Sequence, residues 1–236
     1  MLLNLKKIDD KQLLRTRIGD LSLSLDNCDF LKSRIKGLYN ELESKGFLFF
    51  KPKVYLGEEW YSIEGTLTIF LPFYLVHSRL RQLEKKMMGE VEGSTKDLCM
   101  LLLRHEAGHC FAHAFKLSQT KEWKKLFGNS RKKYNPDSYK VIKHSKKFVM
   151  NLADHYAQAH PDEDFAETFA VWLRYDKRTW TNKYRRWPVA LSKLRYVDRI
   201  VRELREEKPY VKIDRVRGKS LDLRRTLNSY YNSKRA

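Results

Sequence analysis

Residues 101–113 read Leu-Leu-Leu-Arg-His-Glu-Ala-Gly-His-Cys-Phe-Ala-His, and the centre of that run is an HExxH motif. His105 and His109 are four residues apart, so on a helix they stand one above the other on one face. Two imidazoles placed that way can grip one metal ion. Glu106, one step round the helix, can reach a water beside it. In zinc hydrolases with this pattern the metal acidifies the water and the glutamate takes its proton. The same residues could also belong to an amphipathic helix with two satisfied histidines. A third ligand elsewhere in the chain decides between these readings.

Hydrolases of this kind keep three protein ligands and leave one position open. The stretch from His155 to Ala170 is dense in suitable groups. Glu163 and Glu167 are four apart and share a helix face. One can bind metal while the other accepts a hydrogen bond from the free nitrogen of a ligating histidine and so holds its tautomer. His113 lies about 12 Å along the helix axis from His105, too far to share an ion with both motif histidines. No glycine between His109 and His113 breaks the helix, so His113 reads as core or as a neighbour of the ligands. His160 could bind metal, although it precedes the second helix, and His155 is close by. Cys110 points off the histidine face and reads as a small buried hydrophobe.

The elements that must position these groups follow from pattern. Alternation at Leu21, Leu23 and Leu25 suggests a short strand. After Asp26 and Asn27, apolar residues from Phe30 to Leu42 fall at helical spacing, closed by Gly46. Strand chemistry occupies 47–56, 60–63 and 66–71, with a turn at 57–59, and predicts a small antiparallel sheet of two to four strands ended by Pro72. A helix is expected over 78–88, followed by Gly89. Ser94, Thr95 and Asp97 offer caps for the motif helix, which should run to about Phe115. Residues 116–139 read as a long irregular loop, and such loops inside compact domains are often functional. Helix is expected again over 146–156. Another should open at Pro161, where Asp162, Glu163 and Asp164 match the positive end of its dipole. A loop with Trp180, Tyr184 and Trp187 then leads to an amphipathic helix carrying Leu191, Leu194, Val197, Val201 and Leu204. Beyond Pro209 the chain reads as irregular or strand-like, then as a basic tail ending with Arg224, Arg225, Lys234 and Arg235. The fold class is α+β.

At 236 residues, 42% hydrophobic and 13% aromatic, the chain can bury a core without staples and is not disordered by composition. Its formal charge of +19 predicts attraction to an anionic partner, either an acidic protein or nucleic acid, or to a membrane surface. From Arg174 onward Lys and Arg outnumber Asp and Glu by about three to one, interleaved with Tyr175, Trp180, Tyr184 and Trp187. Arginines among aromatics can bind phosphates and stack bases, although no nucleic-acid motif accompanies them. The three cysteines, Cys28, Cys99 and Cys110, form no CxxC and suggest free thiols in a reducing compartment. The N-terminus lacks the apolar core of a signal peptide, and no run approaches ~18 apolar residues. A cytoplasmic protein without a transmembrane segment is expected.

HEAGH followed by Glu163-x-x-Ala166-Glu167-x-Phe169-Ala170 resembles the glutamate zincins, or gluzincins, whose third ligand is a glutamate on a second helix. The closer resemblance is to a bacterial family of zinc-binding metallopeptidases. It rests on residues 103–109 and 156–173, with Leu71-Pro72-Phe73-Tyr74-Leu75 and the segment from Trp187-Pro188 to Asp198 in support, and covers about Trp60 to Leu204. The protease domain of anthrax lethal factor has a similar second helix. That likeness implies Glu163 as the ligand, Glu167 as its hydrogen-bonding partner, and Tyr156, seven residues before Glu163, as a functional tyrosine that stabilises the oxyanion. His155 and His160 are rivals for that role. A zincin-like domain is expected over 47–206, with a helical and irregular region over 1–46 and a basic extension over 207–236, the whole forming one compact domain. The resemblance implies a Zn²⁺-dependent peptidase acting on a protein or peptide, with Glu106 as base. By analogy with zincins, the substrate would pair with the edge of the Thr66–Leu71 strand. The competing reading is a non-catalytic zinc protein that binds nucleic acid or another anion. There a fourth protein ligand, His160 or His155, would close the site.

Overall fold

A computed structural model describes residues 5, 7–134, 139–153, 155–211 and 222–235. The first helices are α1 (Asp10–Arg15) and α2 (Asp29–Ser44). Three strands follow: β1 (Lys53–Gly57), β2 (Tyr61–Ser62) and β3 (Thr68–Pro72). Then come α3 (Ser78–Met88), α4 (Lys96–Ala114), α5 (Lys121–Leu126), α6 (Pro161–Arg174), α7 (Lys177–Tyr184), α8 (Pro188–Leu204) and α9 (Leu227–Arg235). This is an α+β fold, a small sheet followed by helices. Among the described residues no helix is long and apolar enough to cross a membrane.

The HExxH run lies on α4, the central helix. Thr95 caps it by accepting the Leu98 N–H at 3.2 Å. Most of α4 is buried on every side, including Arg104, His105 and Glu106. A charge there needs a partner, and Arg104 takes Glu41 of α2 through two hydrogen bonds of 2.7 and 2.6 Å. The second helix of the site, α6, opens at Pro161 with three acidic residues in its first turn. It packs directly on α4 because residue 108 is glycine. A Cβ there would stand 2.8 Å from the Ala166 Cα and 3.0 Å from its carbonyl oxygen, a clash with backbone that no rotamer relieves. Phe111 and Phe169 stack beside that crossing with centroids 5.3 Å apart. On the far side of α6, the Lys193 ammonium of α8 binds Asp164 at 2.5 Å and the Lys147 carbonyl at 2.8 Å.

The sheet order is β1-β3-β2. β2 pairs with β3 antiparallel, as expected, whereas β1 joins β3 in parallel, Lys53 opposite Thr68 and Gly57 opposite Pro72. β3 is buried at all five positions, as a central strand covered on both faces must be. It is therefore not the free edge that the sequence suggested for substrate; on the cleft side that edge belongs to β2.

Several local expectations are corrected. Residues 18–27 form two 3-10 turns, Ile18–Leu21 and Leu25–Asn27, rather than a strand, because Ser22 between them takes a left-handed backbone (φ 48°). No helix forms over the described residues of 146–156, apart from a 3-10 turn at Tyr156–Gln158. The N–H groups of Met150 and Leu152 donate instead to the Tyr184 hydroxyl (3.1 Å) and to Glu167 Oε2 (2.8 Å), and an N–H spent that way cannot close a helical turn. The 116–139 loop contains α5, capped by Thr120, while residues 135–138 lie outside the described residues. The expected loop before α8 is largely helix α7, whose cap is Asp176 accepting the Thr179 N–H at 2.7 Å.

The chain end is also not a loose tail. Residues 212–221 lie outside the described residues, but α9 buries Leu227, Tyr230 and Tyr231 against the body. Lys234 reaches Glu59 and Glu84, each at 3.0 Å. Arg225 reaches Glu58 at 3.0 Å, and the Tyr230 hydroxyl donates to the Glu58 carbonyl. α9 thereby holds the turn between β1 and β2.

Candidate metal centre

Helices α4 and α6 bring three donors to one point. His105 Nε2 lies 3.0 Å from Glu163 Oε2, His109 Nε2 lies 3.2 Å from the same oxygen, and the two ring nitrogens are 3.1 Å apart. Ligand atoms of His105, His109 and Glu163 all fall within 4.8 Å of one another, in the arrangement of a metal site. The i, i+4 spacing sets the two histidines on one face of α4. The Gly108 crossing brings the first turn of α6 opposite them.

Glu167, one turn further along α6, approaches the other side of the His105 ring. Its Oε1 accepts the Nδ1–H of His105 at 2.8 Å and the Asn151 amide at 2.9 Å, while Oε2 accepts the Leu152 N–H at 2.8 Å. With Nδ1–H given to Glu167, His105 turns its Nε2 toward Glu163 and His109, where it donates to Glu163 in the charged ring and offers a lone pair in the neutral one. The three facing atoms are two nitrogens and a carboxylate oxygen. His105 and Glu163 are buried, while His109 is partly exposed on the cleft. A divalent cation would satisfy all three lone pairs, and this donor set of two imidazoles and one carboxylate suits zinc. The residues present fit the metal.

The electrostatics show the same pull. Burial works against a charged His105, yet hydrogen bonds to Glu163 and Glu167 outweigh it and raise its pKa well above the ordinary value. His109 is raised too, Glu163 again outweighing burial. Burial opposes the Glu163 charge, but His109 and His105 hold its carboxyl far below the usual range. Glu106 differs: burial dominates and pushes its carboxyl up. Among the described residues its Oε2 is buried without a hydrogen-bond partner.

The centre opens on a cleft of about 950 Å³. One wall carries Trp60, Tyr61, Ser62 and Glu64, and the other runs from Ser118 through Lys124 and the 129–134 segment to Tyr156 and the start of α6. The Tyr156 ring stands 5.7 Å from that of His105, and its hydroxyl meets the Tyr134 hydroxyl at 2.5 Å. Burial raises both phenols, Tyr134 to about 12 and Tyr156 further. Both therefore remain hydrogen-bond donors over any physiological range.

The remaining histidines separate clearly. His160 caps α6: its Nδ1 accepts the Asp162 N–H (3.3 Å), which leaves Nε2–H to donate to the Lys132 carbonyl (3.1 Å). Both nitrogens are engaged away from the cluster. His155 adopts a left-handed backbone (φ 58°) before the Tyr156 turn and does not line the cleft. His113 lines the cleft one turn beyond His109, with ring centroids 6.3 Å apart, outside the donor cluster. Cys110 is fully buried against the Thr68 carbonyl. Sequence reasoning passed over Tyr134, Asn151 and Ser62. The long loop was a signal for Tyr134; nothing local marks Asn151, whose partner is 16 residues away.

Comparison with known proteins agrees with this geometry at the level of family. No curated protein and no solved structure matches the chain. Residues 76–233 match the family described as "Putative zinc-binding metallo-peptidase", a span that reaches past α8 through most of α9. The chain belongs to that zinc-binding metallo-peptidase family.

Proposed function

We propose that this protein is a zinc-dependent peptidase in which His105, His109 and Glu163 hold the metal. The observation that carries the reading is the convergence of three lone-pair donors at 3.0–3.2 Å beside a buried, unpartnered Glu106 oxygen. When bound, zinc supplies Lewis acidity toward the scissile carbonyl and toward water. Glu106 takes the proton of the attacking water and returns it to the leaving amine. Its raised pKa suits a group that must both accept and release a proton. Tyr156, backed by Tyr134, donates to the oxyanion of the tetrahedral intermediate. Glu167 and Asn151 keep His105 in one tautomer and orientation. An extended peptide would lie along the β2 edge, where Tyr61 and Ser62 line the cleft.

A closed structural zinc site would need a fourth protein ligand. Both nitrogens of His160 are already engaged, which supports an open site. The three free, buried cysteines support a reducing, cytoplasmic setting. The test is Glu106→Gln, which should keep stoichiometric zinc and lose peptide hydrolysis by about 10²–10⁴-fold. A Glu106→Gln protein that cleaves peptides at the wild-type rate would overturn the assignment of the base.

A further inference from the structure

The cleft is not electrically symmetric. Lys124 of α5, with Arg131 and Lys132 of the following segment, lines it. All three are exposed, and among the described residues none has a carboxylate within ion-pair distance. Among the described residues some other surface cations are paired, Lys177 and Arg202 with Asp198 and Arg199 with Glu122 of α5 itself, and many are not, so it is the position of these three in the cleft that sets them apart. The cleft also carries four carboxylates, Asp162 among them on the same side as Lys132. Glu106 and Glu163 belong to the metal centre, Asp162 stands 3.4 Å from His160, and Glu64 is on the β2 wall. Among the described residues, three exposed cations of the cleft lining are therefore without an ion-pair partner.

We infer that the cleft selects peptides with acidic side chains on the side of the reacting bond that faces Lys124, Arg131 and Lys132. This rests on the peptidase reading for the location of that bond, but the charge preference itself is a property of binding. The wall is held in place rather than loosely draped. The Lys132 carbonyl accepts from His160, Ser130 accepts the Trp123 indole N–H at 3.1 Å, and the Arg131 N–H is turned by Asn129. These cations are separate from the basic corner of Lys183, Arg185 and Arg186, which lines a different cavity. Three cations aimed at one partner give specificity and faster encounter more than raw affinity. The preference should weaken as salt shortens the screening length.

The experiment measures binding of fluorescent peptides to full-length, zinc-loaded Glu106→Gln protein, which does not depend on turnover. A peptide with two aspartates on one side of its centre should bind about tenfold tighter than its asparagine counterpart at low salt. The Lys124→Glu/Arg131→Glu/Lys132→Glu variant should lose that preference while retaining zinc. The same triple reversal at Lys183, Arg185 and Arg186 should keep it. Equal binding of the two peptides overturns the inference. So does a preference that survives the first variant or disappears in the second. An oligonucleotide that displaces the acidic peptide at lower concentration than unlabelled peptide does would overturn it in favour of nucleic acid. Acid preference in binding with no cleavage of any peptide by the wild-type protein would instead overturn the peptidase reading and leave this one standing.

Discussion

Glu59 and Glu84 gather on the ammonium of Lys234, each at 3.0 Å, whereas His105, His109 and Glu163 turn their donor atoms on one another. Both clusters are built by a late helix bringing its side chains against an earlier part of the chain, and both contain carboxylates that burial would penalise. The α9 cluster carries its own counter-charge and so completes itself when the chain folds. The α4–α6 cluster is instead a set of three donors that could hold a metal ion. A buried polar group with an internal partner reads as structure; one whose donors face each other reads as a site.

Removing a member of each cluster separates the two cases. Glu163→Ala should abolish stoichiometric zinc binding altogether, as metal analysis of the purified variant would show. Full zinc occupancy in that protein would mean that Glu163 is not a ligand. Gly108→Ala strikes the frame rather than the donors. Its methyl must displace Ala166 backbone, at a cost of about 2–3 kcal/mol by analogy with overpacked cores. Denaturation curves and zinc titration should worsen together, and a stable variant with unchanged zinc affinity would show that α6 can shift without moving Glu163.

Lys234→Met should leave zinc in place and lower stability by about 2 kcal/mol, because Glu84 is left buried without its cation. Adding Glu84→Gln should recover part of that loss. Burial opposes the Lys234 charge, but Glu59 and Glu84 outweigh it and hold its pKa above the ordinary lysine value. Glu84 itself is pushed up by burial despite the lysine, so the favourable half of the pair is on the Lys234 side. A raised lysine pKa means a contribution present in full at neutral pH and lost as pH rises through the raised value. The Tm difference between wild type and Lys234→Met should therefore close under strongly alkaline conditions; a constant difference would assign the effect to packing. The smallest effect is expected from Asn151→Ala. Glu167 keeps its bonds to His105 and Leu152 but loses one donor, and zinc affinity should fall about tenfold with stability little changed.

The two halves of the molecule also differed in how much could be read in advance. Helix α3 was legible to the residue, the Pro161 start was too, and the motif helix's cap was narrowed to Ser94, Thr95 or Asp97, because caps and 3.6-residue spacing act within one or two turns of chain. The segment 146–153 was misread as helix because its backbone donors go to Glu167 and Tyr184, partners on other elements. α9 was misread as a tail for the same kind of reason. Its Lys and Tyr residues look solvated until Glu58, Glu59 and Glu84 are brought to them from more than 140 residues away.

By itself, then, the sequence determined that two histidines and a glutamate share a helix, and that two glutamates one turn apart lie on another, since helical periodicity is a local property. Resemblance could suggest which glutamate meets the histidines. Only the tertiary structure decided it, because Gly108 sets how closely α6 crosses α4. That crossing aims Glu163 at the Nε2 atoms and Glu167 at the Nδ1 of His105. The cleft beside them, with Tyr134 meeting Tyr156 and cations along one wall, comes from segments that approach only when the core closes.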